Sequence, residues 1–125
     1  MSVTDKVAQF RNRRYLNLES YRKDGRAVRT PLWFAEEDGL LYVYTLADSG
    51  KVKRIRHNPR VRVVPSDIRG KPLGEWGEAE AVLLEGERAA HGDRLLSQKY
   101  FWKRVGDLFR KLRPKPRAVL VIRPV

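Results

Sequence analysis

The chain has 125 residues, 42% of them hydrophobic, including three Trp, five Tyr and four Phe. This suits one folded domain, 1–125, able to bury roughly two thirds of its extended-chain surface, and it is too apolar for a disordered chain. Twenty-seven Lys and Arg against 15 Asp and Glu give a net charge of +12, a field that attracts anions but is silent about fold, and the lack of Cys excludes disulfides and thiolate metal sites.

Apolar runs such as Ala118–Ile122 fall far short of the roughly 20 residues of a membrane span. The opening "MSVTDKVAQF" holds no apolar stretch of signal-peptide length. The expectation is a soluble cytoplasmic protein with no membrane span.

In chain order, Thr4 and Asp5 can cap a short helix running to about Arg11. A β-meander follows. Tyr15 to Tyr21 alternates as a strand, Lys23–Gly25 turns, and Val28 to Ala35 is a second strand. Glu37–Gly39 turns again into a third, Leu40 to Leu46. Asp-Gly between apolar runs favours a tight hairpin, because glycine takes the positive φ such a turn needs.

Then the period changes. Asp48 or Ser49 can cap a helix running to about Asn58, where the following proline stops it. Val52 and Ile55, three apart, share the face that would seal this helix onto the sheet. Val61–Val64 begins a fourth strand, "DIRGKPLG" is a loop or wide hairpin, and Glu75 to Leu84 is a fifth strand. "GERAAHGDRLLSQKYFWKRVGDLFRKLR" reads as one long or two shorter helices, ended by Pro114 and Pro116. "RAVLVIRPV" is a last strand, buried on both faces in its middle. The sum is a mainly β protein, a small barrel with helices at its edge.

Much chemistry has no sequence support. No Gly-rich nucleotide loop, Walker motif, HExxH or serine elbow occurs. His57 and His91 read as surface histidines, too few for a metal site. Glu36, Glu37 and Asp38 fall in a turn, and Glu78 and Glu80 read as a solvated strand edge. No catalytic residue is nominated; if the protein is an enzyme, a cofactor does the chemistry.

What stands out is "ADSGKVKRIRHNPRVRV", Ala47 to Val63, with six Lys or Arg and no acid between Asp48 and Asp67. A strand end, a turn and a helix start present free N–H groups and partial positive charge to an anion such as phosphate. Ser49 adds a hydroxyl, Gly50 permits close backbone approach, and Lys51 adds a full charge. Lys51, Arg54 and Ile55 lie on adjoining parts of the helix, so charges would rim an apolar floor. The plainer alternative is a capped helix with solvated cations. A second basic run, Lys99 to Arg117, has eight Lys or Arg against one acid, Asp107.

Taken with "VRTPLWF" before it and "NPRVRV" after it, this segment resembles the split β-barrel flavin and deazaflavin oxidoreductases related to pyridoxamine 5′-phosphate oxidase, and most of all the branch using coenzyme F420. The resemblance runs from Phe10 to Val125. It implies a six- or seven-stranded split barrel, a homodimer with two cofactor sites at the interface, and hydride transfer between reduced deazaflavin and an unsaturated small-molecule substrate. It implies that Ser49, Gly50 and Lys51 hold the cofactor phosphate and that Thr45 approaches the ribityl chain. Arg29, Thr30, Pro31 and Leu32 would run along the cofactor, Arg29 reaching towards phosphate and the backbone meeting the ring edge. Trp76, between Gly74 and Gly77, either lines that cleft or packs elsewhere; Trp33 would be core or dimer interface.

The phosphate oxidase carries basic residues where this chain has Phe34 and Gly50, and a C-terminal extension absent here, so its own reaction is not expected. The second basic run would steer the oligoglutamate tail of F420, or else is the solvated face of a helix. The resemblance also accommodates FMN or haem, or a cofactor-sequestering protein without turnover. A nucleic-acid-binding barrel is the remaining alternative, disfavoured because the basic residues collect in helices rather than among exposed aromatics on a sheet.

Overall fold

The computed structural model of the protein describes residues 7–47, 49–99 and 117–125. A 3₁₀ turn, Ala8–Phe10, leads into β1 (Tyr15–Tyr21), β2 (Ala27–Glu37) and β3 (Leu40–Leu46). Helix α1 (Gly50–His57) connects to β4 (Arg60–Ser66) and β5 (Gly77–Leu83), and α2 (Gly86–Lys99) precedes β6 (Arg117–Pro124). All strand pairs are antiparallel and close a six-stranded barrel in the order β1-β2-β3-β6-β5-β4, with β4 returning to β1. Among the described residues the fold is mainly β with two helices, a barrel flanked by helices as expected.

The local reasons are those of the residues. At the β2–β3 hairpin Asp38 and Gly39 both take positive φ, 53° and 80°. That is the two-residue turn whose twist matches the strands on either side. Expected boundaries shift where side chains or tertiary bonds intervene. β4 continues through Pro65 because the proline needs only its carbonyl, which accepts from Leu73 N at 2.7 Å. β5 begins at Gly77 rather than Glu75, because both backbone groups of Glu75 are taken by the Gln9 amide, at 3.0 and 2.8 Å. Glu36 and Glu37 belong to the end of β2, not to the turn.

Alternation along the strands makes two apolar layers. Leu16, Leu18, Phe34, Leu41, Val43, Val61, Val63, Leu120 and Ile122 fill the barrel, with Phe10 and Ile55 among them. The other face of β2, β3 and β6 (Ala35, Tyr42, Val119, Val121) is covered by α2 through Leu96, with Trp33 packed against the same layer. β6 is thus buried on both faces, as its sequence suggested. Gly92 lets α2 settle: a Cβ there would stand 2.6 Å from Val119 Cγ1. The Thr4–Asp5 cap, Asp48 as a cap, and the continuation of the helical run through the basic residues up to Lys115 lie outside the described residues.

Candidate functional site

The barrel is incompletely zipped at one place. The β2–β3 ladder runs from Glu37↔Leu40 to Phe34↔Val43 and stops. β3 goes on to Leu46 paired with β6 alone, and β2 from Ala27 to Trp33 is paired with β1 alone. Continuing the register would set Leu32 opposite Thr45 and Pro31 opposite Leu46. The strands part instead, leaving a β2 edge with no strand partner among the described residues, and α1 starts at the far lip.

The turn from β3 into α1 is closed by Ser49 N bonding Leu46 O at 3.0 Å. Ser49 is the N-cap: its backbone is extended (φ −68°, ψ 157°) and its Oγ accepts from Val52 N at 3.4 Å. The same Oγ lies 3.0 Å from Thr45 Oγ1, so the two hydroxyls form one polar node. Val52 and Ile55 are buried and fasten the helix to the barrel end. Ile55 belongs to the barrel core, so it is no exposed floor for a ligand.

Around this node the charge is one-sided. Burial, and next the Arg54 guanidinium, hold the Lys51 ammonium below its ordinary pKa. Arg54 is likewise lowered, by burial first and by Arg22 second. Among the described residues no carboxylate forms an ion pair with Arg22, Lys51 or Arg54. Like charges brought together and partly desolvated favour an anion beside them.

Arg29 is engaged differently. Its Nε donates to Glu19 Oε2 at 2.7 Å, and Arg62 Nη1 and Tyr21 Oη reach Glu19 Oε1 at 3.4 and 2.7 Å. Trp76 stacks on both guanidiniums, its ring centroid 4.6 Å from Arg29 Cζ and 5.2 Å from Arg62 Cζ. Arg29 and Trp76 therefore form a cluster on the outer face of β1, while Ser49, Gly50 and Lys51 sit at the barrel end. The two are linked through consecutive residues: Glu19 holds Arg29, and Ser20 accepts from Arg54 Nε at 2.9 Å. Of the other β2 residues, Leu32 packs against the barrel core. Thr30 lies across from Leu18, and Pro31 across from Asn17. Asn17 Nδ2 donates to Gly70 O at 2.9 Å, and its buried Oδ1 has no partner among the described residues.

The Glu19 cluster was not visible in the sequence. Only register reveals it, since β1 pairs Glu19 with Arg29 on one side and Arg62 on the other. Burial alone would raise its pKa, but the hydrogen bonds from Tyr21 and Arg29 and the two guanidinium charges together hold it below the usual glutamate value. A depressed carboxylate stabilises the fold above its unfolded pKa, about 4.3, and that contribution is lost as pH falls towards the folded value. Glu19→Gln is therefore expected to flatten the loss of thermal stability between about pH 5 and pH 3, read from melting curves across that range.

The histidines divide. His57 is exposed. His91, expected as a plain surface residue, has Nε2 2.6 Å from Glu37 Oε1 and its ring edge-on to Tyr42, 6.1 Å between centroids. It borders a cleft of about 290 Å³ with Tyr42, Leu84, Glu87, Arg88 and Arg94, away from the α1 corner. Glu80 is paired with Arg123 at 2.8 Å. Among the described residues no helix is long and apolar enough to cross a membrane.

The sequence profile described as pyridoxamine 5′-phosphate oxidase matches residues 3–125. Solved structures of similar fold include a conserved hypothetical protein from Mycobacterium tuberculosis, 22% identical over 97% of this chain and 79% of that one, with a TM-score of 0.71. The haem storage protein of Vibrio cholerae is 16% identical over 100% and 92% of the two chains, with a TM-score of 0.67. An FAD-binding protein from Mesorhizobium loti is 21% identical over 99% and 88%, with a TM-score of 0.63. No curated protein matches the chain in sequence.

Proposed function

The chain belongs to the pyridoxamine 5′-phosphate oxidase family, and from that premise we propose that it is an oxidoreductase holding coenzyme F420 by its phosphate at the β3–α1 corner. The observation that carries this is the pairing of an open β2 edge with a helix start ringed by cations that have no carboxylate partner among the described residues.

The residues present fit such a group. Ser49 and Thr45 offer hydroxyls, the first turn of α1 offers N–H groups, and Lys51 offers a full charge. Across the split, the backbone of Thr30, Pro31 and Leu32 would meet the edge of a planar ring, with Pro31 able only to accept. Bound F420 would supply hydride from carbon 5 of its deazaflavin to an unsaturated small molecule. The chain's own work is to anchor the phosphate, set the ring against the lip and exclude water there.

Arg29 is already paired through Nε with Glu19, so in this reading Lys51, which has no such partner among the described residues, carries more of the charge than Arg29 does. The net charge of +12 favours F420 over FMN, because the oligoglutamate tail adds several negative charges beyond the phosphate. FMN is the second reading, supported by the shared fold of the FAD-binding protein from M. loti. The fold shared with the V. cholerae haem storage protein leaves binding without turnover as the remaining outcome. The split opens at the surface, and a second copy related by a two-fold axis would complete the pocket.

Fluorescence titration of the purified protein with F420 and with FMN, in parallel, tests the reading. Saturable F420 binding tighter than FMN is expected. Tighter FMN binding would move the assignment to a flavoprotein, and binding of neither would retire it. Light scattering on the same sample is expected to give a dimer mass; a monomer would leave the pocket with only one wall.

A further inference from the structure

Arg54 occupies a place its position in the sequence does not suggest. It lies one turn into α1, yet its guanidinium folds back over the first residue of the helix. A Cβ built on Gly50 would stand only 2.8 Å from Arg54 Nη1. The side chain is moored there by the hydrogen bond from Nε to Ser20 Oγ at 2.9 Å, Ser20 being 1% exposed on β1. With Nε engaged, the planar fork still carries Nη donors, in the geometry that suits a phosphate oxygen pair. No carboxylate among the described residues pairs with it. Its charged surroundings include two more cations, Lys51 and Arg22.

We propose that Arg54 is a second phosphate-binding cation, acting with Lys51 on the same anion, and that the missing side chain at Gly50 is what admits it. This rests on the reading of the β3–α1 corner as a phosphate site and adds to it a specific residue and a packing requirement. The clamp is built from two residues three apart in sequence, so both charges reach the first turn from the same helix. The mooring at Ser20 makes the guanidinium pre-organised rather than a freely moving surface charge.

The test uses Arg54→Ala, Gly50→Ala and Lys51→Ala, each titrated with F420 and FMN and melted in parallel. Arg54→Ala is expected to weaken binding about 10-fold or more, the scale of a lost charge-assisted bond. Gly50→Ala keeps every charge and should melt close to the wild-type temperature, because the atom its methyl meets is the far end of a flexible side chain. It should nevertheless weaken binding several-fold, because the new methyl displaces Nη1. Affinity falling in Arg54→Ala while its melting temperature holds is a pattern that a purely structural Arg54 would not produce. Wild-type affinity in Arg54→Ala with weakened binding in Lys51→Ala overturns the inference and leaves the corner's assignment standing. Wild-type affinity in both overturns the assignment itself, and Arg54's role with it. Should Arg54→Ala fail to fold, Arg54→Gln, which removes the charge and keeps a side-chain donor, decides instead: unchanged affinity counts against the proposal.

Discussion

Lys51→Ala is expected to weaken F420 and FMN binding by about 10- to 100-fold, the equivalent of roughly 1.5–3 kcal/mol for a hydrogen bond to a charged group. The fold should survive. Lys51 stands in the first turn of α1, half-buried, and its loss relieves repulsion with Arg54 rather than breaking an ion pair. Fluorescence titration gives the affinity, and a melting curve within a few degrees of wild type gives the control. If the variant binds as wild type does, the phosphate does not sit on this residue.

Phe34→Lys is expected to prevent folding. The position matters because the phosphate oxidase, as the family resemblance implies, carries a basic residue there. In this chain Phe34 is 0% exposed in the barrel core, edge-on to Phe10 at 5.7 Å between centroids. Removing such a ring costs about 3–5 kcal/mol before any charge is added. A buried ammonium adds several kcal/mol more, and Lys99 Nζ already lies 3.8 Å from the ring centroid, so the new charge would meet a like one. Against a typical total of 5–15 kcal/mol, little or no stability remains. Denaturant titration against Phe34→Leu, which keeps the site apolar, separates charge burial from lost volume. A well-folded Phe34→Lys would mean that the side chain reaches solvent or a ligand.

These two residues show what the sequence made legible. The strand over Tyr15–Tyr21, the Asp-Gly turn at Gly39 and the Ser49 cap are local signals, and local backbone chemistry decides them. The burial of Val52 and Ile55 followed from their spacing on one helix face. Register is not local. That Glu19 meets Arg62 as well as Arg29 and that Trp76 stacks on both depend on segments far apart in sequence, and where the β2–β3 ladder stops, at Phe34, is not written in the turn that joins the two strands. The apolar floor expected at Ile55 failed for a similar reason. A helix face turned towards a barrel end is absorbed by the core, whatever charges flank it. The turn of Arg54 back over Gly50 depends on a serine on another strand, which no helix pattern encodes.

The most direct test of the central claim is a crystal structure of the protein soaked or co-crystallised with F420. The account predicts the phosphate within hydrogen-bonding distance of Ser49 and Lys51, with the ring lying along the open edge of β2 between Thr30 and Leu32. A phosphate bound elsewhere, or a β2–β3 split closed by side chains in the presence of saturating cofactor, would contradict it.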